Sequence, residues 1–327
     1  MRNKVAIVNS NSFGRYFPEH IEEMEKKVDV HILKIDKDID GKELACRLQE
    51  YKYIVFSAAP NYNKYFFENS PNLRLLTRHG LGYDNVDTEA AAAQNIYVAK
   101  VPGGAEGDAV AEASIALLLS VLRNVPAASC AAGKSQWQSR GQFIGSQIRE
   151  KTVGIIGLGN IGGKVANILK NGFMANVIVY DKYLGAEDIK KHGYEAVPFQ
   201  ELLEKSDIIS LHAFLPNKYE HLISAKEFSL MKKDVVLINT ARGGLIDTAA
   251  LIENLESKKV GAVGLDVIEG EPIDGEHPIL GYPNVIVTPH IGAYTYEAIQ
   301  RMGEKIVADI LSMEAGGKPA IIVNGME

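Results

Sequence analysis

Val153-Gly154-Ile155-Ile156-Gly157-Leu158-Gly159-Asn160-Ile161-Gly162 decides how this chain is read. Val153 to Ile156 is a short apolar run of buried-strand type, and helical spacing begins at Ile161 and runs to about Lys170. Between them Gly157, Gly159 and Gly162 stand in the spacing G-x-G-x-x-G. Gly157 allows a tight turn, Gly159 removes a side chain where backbone meets a diphosphate, and Gly162 lets helix and strand approach closely. The free N–H groups of the first helical residues, Asn160 and Ile161 among them, then face the diphosphate with the positive end of the helix dipole. Asp181 ends the next strand nineteen positions after Gly162. A carboxylate there accepts both hydroxyls of an adenosine ribose and repels a 2′-phosphate. The stretch predicts a dinucleotide site that takes NAD in preference to NADP, with Lys182 the one cation beside Asp181.

Strands and helices alternate on both sides of this motif. Before it come strand candidates at Val5–Val8, Val30–Leu33, Tyr53–Ser57, Leu73–Leu76 and Ile96–Ala99, with helical stretches at Glu43–Glu50 and Ala90–Gln94. After Val153–Ile156 come Val177–Tyr180, Ile208–His212, Val235–Asn239, Val263–Asp266 and Val285–Val287. Residues 295–313 read as a helix and Ile321–Val323 as a last short strand. Such alternation predicts an α/β protein with parallel sheets covered by helices. A break at Val101-Pro102-Gly103-Gly104 precedes a helix expected from an Asp108 N-cap to about Arg123. That helix is apolar nearly all round (Ile115 to Leu119 without a gap), so part of it is expected to pack against a second subunit.

The chain has 327 residues, 46% hydrophobic and 23% charged, which suits two folded domains. A net charge of −6 speaks against a dedicated nucleic-acid or anionic-membrane binder but not against small acidic substrates. No apolar run reaches the roughly twenty residues of a membrane span, and Val5–Val8 is too short for a secretory core. Cys46 and Cys130 have no metal-ligand spacing and read as reduced thiols of a cytoplasmic protein, with no metal expected.

Three later segments look chemical, and each follows a strand, where ligands bind in open α/β sheets. They are Ile238-Asn239-Thr240-Ala241-Arg242-Gly243-Gly244, Leu265-Asp266-Val267-Ile268-Glu269-Gly270-Glu271-Pro272 and Val287-Thr288-Pro289-His290-Ile291-Gly292. A guanidinium, a carboxylate and an imidazole at successive strand ends suit reduction of a carbonyl. His290 can protonate the alkoxide that a hydride creates, because imidazole titrates near neutral pH. Glu271 can orient that ring. Arg242 can grip a carboxylate or carbonyl through a forked pair of hydrogen bonds.

In this order, these segments resemble the signatures of the D-isomer-specific 2-hydroxyacid dehydrogenase family. Arg78-His79-Gly80-Leu81-Gly82-Tyr83-Asp84-Asn85-Val86-Asp87 and Val110-Ala111-Glu112 match as well, so the likeness runs from about residue 50 to 313. It implies a Rossmann doubly wound nucleotide domain (103–294) inserted into a flavodoxin-like substrate domain (1–102 plus 295–327), with the active site in a cleft. It implies Arg242, Glu271 and His290 as the catalytic set, and Arg78 with the backbone of Leu81 and Gly82 as the substrate-carboxylate cradle. It puts Val110, Thr240 and Asp266 near the nicotinamide end of the cofactor and His212 beside the adenosine side. It implies a homodimer through the helix at about 108–123. The expected reaction is reversible hydride transfer between NADH and a small 2-oxo acid, giving the D-2-hydroxy acid. The alternatives are an NAD(H)-sensing scaffold like the corepressors of this fold, and a formate or phosphite dehydrogenase, in which formate oxidisers have Gln where Glu271 stands.

The chain departs from the pattern in places. Phe214 stands where many members have Pro in His212-Ala213-Phe214-Leu215, and Tyr219 stands where Thr or Asn is frequent. The turn between Val101 and Glu112 is one residue longer than in the lactate and phosphoglycerate branches. Tyr294-Thr295 is similar to the lactate branch and Gly80–Asp87 to the phosphoglycerate branch, so the side chain of the substrate stays open. Only 37 residues follow His290, so the regulatory domain of long phosphoglycerate dehydrogenases is not expected.

Overall fold

Most of the central strands are runs of apolar residues with no polar face, because both faces of each sheet are covered. The computed structural model describes residues 2–214 and 221–326. Their contacts divide the chain into two units, Met1–Glu106 with Ala293–Glu327, and Gly107–Gly292.

The first unit holds five parallel strands, β1 (Lys4–Val8), β2 (Asp29–Leu33), β3 (Tyr53–Phe56), β4 (Leu75–Arg78) and β5 (Tyr97–Ala99), in the order β2-β1-β3-β4-β5. This is the flavodoxin-like order. Alternation splits each strand between two cores. Val5, Ile7, Tyr53, Val55 and Leu75 face one, and Ala6, Val8, Ile54, Phe56 and Leu76 face the other. The helix Tyr296–Glu314, near the end of the chain, supplies Ile306, Val307 and Ile310 to the first core. Full burial of each such side chain stabilises by about 1.5–3 kcal/mol. Glu314 ties the end of this helix to the sheet by accepting from the Tyr53 hydroxyl at 2.5 Å and the Asn3 amide at 2.7 Å. Buried Asp309 accepts from Thr77 Oγ1 and the Ala320 N–H and pairs with Lys305.

The second unit holds seven parallel strands, β6 (Thr152–Ile156), β7 (Asn176–Tyr180), β8 (Glu195–Ala196), β9 (Ile208–Leu211), β10 (Val235–Asn239), β11 (Val260–Leu265) and β12 (Val285–Val287). Their order is β12-β11-β10-β9-β6-β7-β8. The chain winds one way from β6 to β8, then returns beside β6 as β9 and winds the other way. That is the doubly wound Rossmann arrangement, whose ligands bind beyond the carboxyl ends of β6 and β9.

Most expected elements fall within three residues of the observed ones. Asp108 is not an N-cap, because the helix begins at Gly103, directly after Pro102, and runs to Leu122. Proline suits a helix start, where its missing N–H costs nothing. Asp108 instead pairs with Lys164 at 2.5 Å. The same helix is not buried all round, since Glu112 and Ala116 are exposed. The helix opened by the glycine motif ends at Asn167 and widens into a π-turn, Ile168–Gly172. Ile321–Val323 forms no strand, only an antiparallel bridge from Ile322 to Ala99. Among the described residues no single helix is long and apolar enough to cross a membrane, and no group of His, Cys, Asp or Glu could hold a metal ion.

Candidate active site

The end of β6 gives the glycine motif its geometry. Gly157 has φ +94°, and a Cβ there would lie 2.7 Å from the His212 carbonyl oxygen. A Cβ on Gly162 would lie 1.9 Å from the Gly157 carbonyl oxygen, so only glycine lets the helix Asn160–Asn167 start this close to the strand. At Gly159 a Cβ would meet nothing within 4 Å. Gly159 is also the N-cap, and among the described residues no side chain caps the helix start. An open, uncapped helix start on a glycine turn fits a diphosphate group.

Asp181 is held within its own turn. Its Oδ2 accepts from the Leu158 N–H at 2.8 Å, and its Oδ1 from the Tyr183 and Leu184 N–H groups at 2.8 and 3.0 Å. The carboxylate locks the glycine turn to the end of β7 and keeps acceptor capacity for a further hydroxyl. His212 lies behind the same turn. Its Nε2 is 2.8 Å from Ser210 Oγ, and its buried Nδ1 has no partner among the described residues. Burial pulls its pKa down to about 3, so the ring is neutral. Of the two departures that follow it, Phe214 is exposed and Tyr219 lies outside the described residues.

Arg242, Glu271 and His290, the three side chains expected to react, follow β10, β11 and β12 and belong to one unit. His290 Nδ1 is 2.6 Å from Glu271 Oε1. A carboxylate only accepts, so Nδ1 carries the hydrogen and Nε2 is left for proton exchange. Glu271 is itself held, because its Oε2 accepts from the Ile268 N–H and its own N–H donates to the Ile268 carbonyl, both at 3.2 Å. Arg242 follows a clamp in which buried Asn239 accepts from the Ala241 N–H and donates to the Arg242 carbonyl. Gly243 then packs against Ile268 so tightly that a Cβ would lie 2.1 Å from the Ile268 carbonyl carbon. That contact draws the Arg242 loop against the Glu271 loop.

Asp266 fixes the imidazole. Buried to 3% exposure, it accepts from Thr288 Oγ1 at 2.7 Å, Ile291 N–H at 2.8 Å and Gly292 N–H at 2.7 Å. These bonds hold His290 between them in a left-handed conformation, φ +55°, which bulky residues seldom adopt. Thr240 Oγ1 lies 2.7 Å from Ser114 Oγ, which spends its one hydrogen on the Val110 carbonyl, so Thr240 is the donor. Val110, Thr240 and Asp266 therefore line neighbouring parts of one unit. Ser114, Gly243 and the Ile291–Gly292 amides escaped the sequence reading; of these only the glycine pair after Arg242 was a visible signal.

In the first unit, Arg78 ends β4 with its guanidinium 5.6 Å from the Phe56 ring. Gly80 has φ +141°, and Leu81 and Gly82 follow in a half-buried turn.

The sequence model described as D-isomer specific 2-hydroxyacid dehydrogenase, NAD binding domain, matches residues 115–292, more than half of the chain. The chain belongs to that family. This D-2-hydroxyacid dehydrogenase is 35% identical over 317 residues to the glyoxylate reductase of Thermococcus litoralis, covering 95% of each protein. It is 36% identical over 284 residues to the D-3-phosphoglycerate dehydrogenase of Archaeoglobus fulgidus, covering 87% of this chain and 53% of that one. The crystal structure of D-lactate dehydrogenase from Aquifex aeolicus, complexed with NAD and lactic acid, matches with a TM-score of 0.85 at 26% identity, covering 99% of this chain and all of that one. The dehydrogenase is an NAD-dependent oxidoreductase acting on a small 2-oxo acid or its 2-hydroxy counterpart. Neither alternative finds support.

Proposed function

We propose that the dehydrogenase reduces a small 2-oxo acid to the D-2-hydroxy acid with His290 as proton donor. The 2.6 Å contact of His290 Nδ1 with Glu271 carries this reading, because it leaves Nε2 as the exchanging atom. NADH, when bound, supplies the hydride. The uncapped N–H groups at Asn160 and Ile161 hold its diphosphate, and the remaining acceptor capacity of Asp181 takes the ribose. Val110, Thr240 and Asp266 support the nicotinamide end. Arg242 holds the substrate's carbonyl or carboxylate through its forked donors. Arg78 and the N–H groups of Leu81 and Gly82 take the carboxylate. Residues 103–294 act as the nucleotide domain and 1–102 with 295–327 as the substrate domain. In the oxidative direction neutral His290 accepts the hydroxyl proton at Nε2.

Exposed Ala116, Val125, Trp137 and Ile144 support a homodimer through this surface, which light scattering would detect. Free, exposed Cys46 and Cys130 suit the reducing cytoplasm. The test of function is NADH consumption with pyruvate, glyoxylate, hydroxypyruvate, phosphohydroxypyruvate and 2-oxoisocaproate. Turnover of at least one is expected, and its abolition in His290→Ala. No turnover, or full activity in that variant, overturns the proposal.

A further inference from the structure

Lys100 has no part in the chemistry above, yet its surroundings suit an anion. β4 and β5 pair in register with Thr77 opposite Ala99. The next residues, Arg78 and Lys100, therefore leave the sheet side by side, roughly 4.8 Å apart in the pairing direction. Alternation puts both side chains on the face that carries Phe56 and Val98. Arg78 lies over the Phe56 ring, and the Lys100 ammonium lies 5.4 Å from the centroid of the Tyr83 ring. The turn Gly80–Tyr83 is thus bracketed by two cations, Arg78 at its start and Lys100 on the ring at its end. Lys100 is half-buried, its backbone is fixed by its N–H donating to the Ile321 carbonyl at 3.1 Å, and its ammonium pairs with no carboxylate among the described residues.

A single carboxylate is already served by the turn's N–H groups and Arg78. A second cation there is surplus unless the substrate brings a second negative charge. An aromatic face holds an ammonium only loosely, so an arriving carboxylate readily recruits it. Resting on the proposed reduction of 2-oxo acids, we infer that Lys100 is a specificity-determining residue selecting dicarboxylic 2-oxo acids of four or five carbons. Its flexible four-carbon stem and compact charge suit side chains of more than one length better than a rigid guanidinium would.

The test compares kcat/KM for glyoxylate, 2-oxobutyrate, oxaloacetate and 2-oxoglutarate in the wild type, Lys100→Met and Lys100→Arg. The wild type is expected to favour one of the diacids over 2-oxobutyrate by tenfold or more. Lys100→Met removes that advantage through KM while glyoxylate changes less than threefold, and Lys100→Arg keeps most of it. If Lys100→Met does not fold, the salt dependence of the wild type decides, and it must be steeper for the diacid than for 2-oxobutyrate. Glyoxylate turnover without diacid preference, equal losses on all four acids, or equal salt dependence overturns the inference. Absence of turnover with every acid overturns the proposed function itself, and the two failures are distinguishable.

Discussion

Gly243→Ala tests how the reacting side chains are held. A Cβ at this position would lie 2.1 and 2.2 Å from the Ile268 carbonyl carbon and oxygen and 2.5 Å from the Glu269 nitrogen. All three are backbone atoms, so no side chain can swing aside. To reach an ordinary contact of 3.4 Å the Ile268–Glu269 backbone must retreat by about 1.3 Å. Glu271 moves with it, because both of its local hydrogen bonds run to Ile268. A misplacement of about 1 Å in a reacting group costs on the order of 10²-fold in rate, and overpacking costs about 1–3 kcal/mol of stability. Steady-state kinetics should show kcat/KM falling about 10²-fold, while NADH affinity by fluorescence titration stays unchanged, since the glycine motif is untouched. Gly275→Ala is the control, because a Cβ there meets nothing within 4 Å. Turnover of Gly243→Ala within threefold of the wild type would refute the reasoning.

His290→Gln should lower kcat by roughly 10²–10⁴-fold with little change in NADH affinity, measured on the acid that proves to be the best substrate. Asp266→Ala strands the N–H groups of Ile291 and Gly292 and the Thr288 hydroxyl, and urea unfolding should show a loss of about 2–4 kcal/mol together with lost turnover. Burial lowers the pKa of His79 to about 3, with neighbouring Arg78 acting in the same direction. The folded state then binds fewer protons than the unfolded chain below about pH 6.5. Stability is full above that pH and falls toward about pH 3, with a slope of up to about 1.4 kcal/mol per pH unit from this histidine. The urea midpoint should therefore drop from pH 7 to 4.5, and His79→Leu should flatten the slope by one proton; an unchanged slope would contradict the buried neutral ring.

The parallel strands were legible because burial on both faces leaves unbroken apolar runs such as Val5–Val8 and Val235–Ile238. The glycine motif was legible because each glycine answers a local steric demand, now visible in the backbone atoms that would strike Gly157 and Gly162. Helix starts were less legible. Asp108 is a good capping residue, but Pro102 and the small residues after it let the helix begin six positions earlier. Ile321–Val323 has strand composition, but strand pairing is a tertiary property and only one bridge forms. The internal commitments of Asp181, Thr240 and Asp266 were also hidden, because hydrogen bonds to a distant backbone leave no trace in spacing. Arg242, Glu271 and His290 stood out only as a set at successive strand ends, and Gly243 joins two of those ends.

Chiral analysis of the product formed with NADH, from the best of the 2-oxo acids whose reduction creates a stereocentre, tests the central claim most directly. The wild type should yield the D-2-hydroxy acid alone, and His290→Gln should form it at least about 10²-fold more slowly while still binding NADH. The L-acid, a racemate, or undiminished product from His290→Gln would contradict the account.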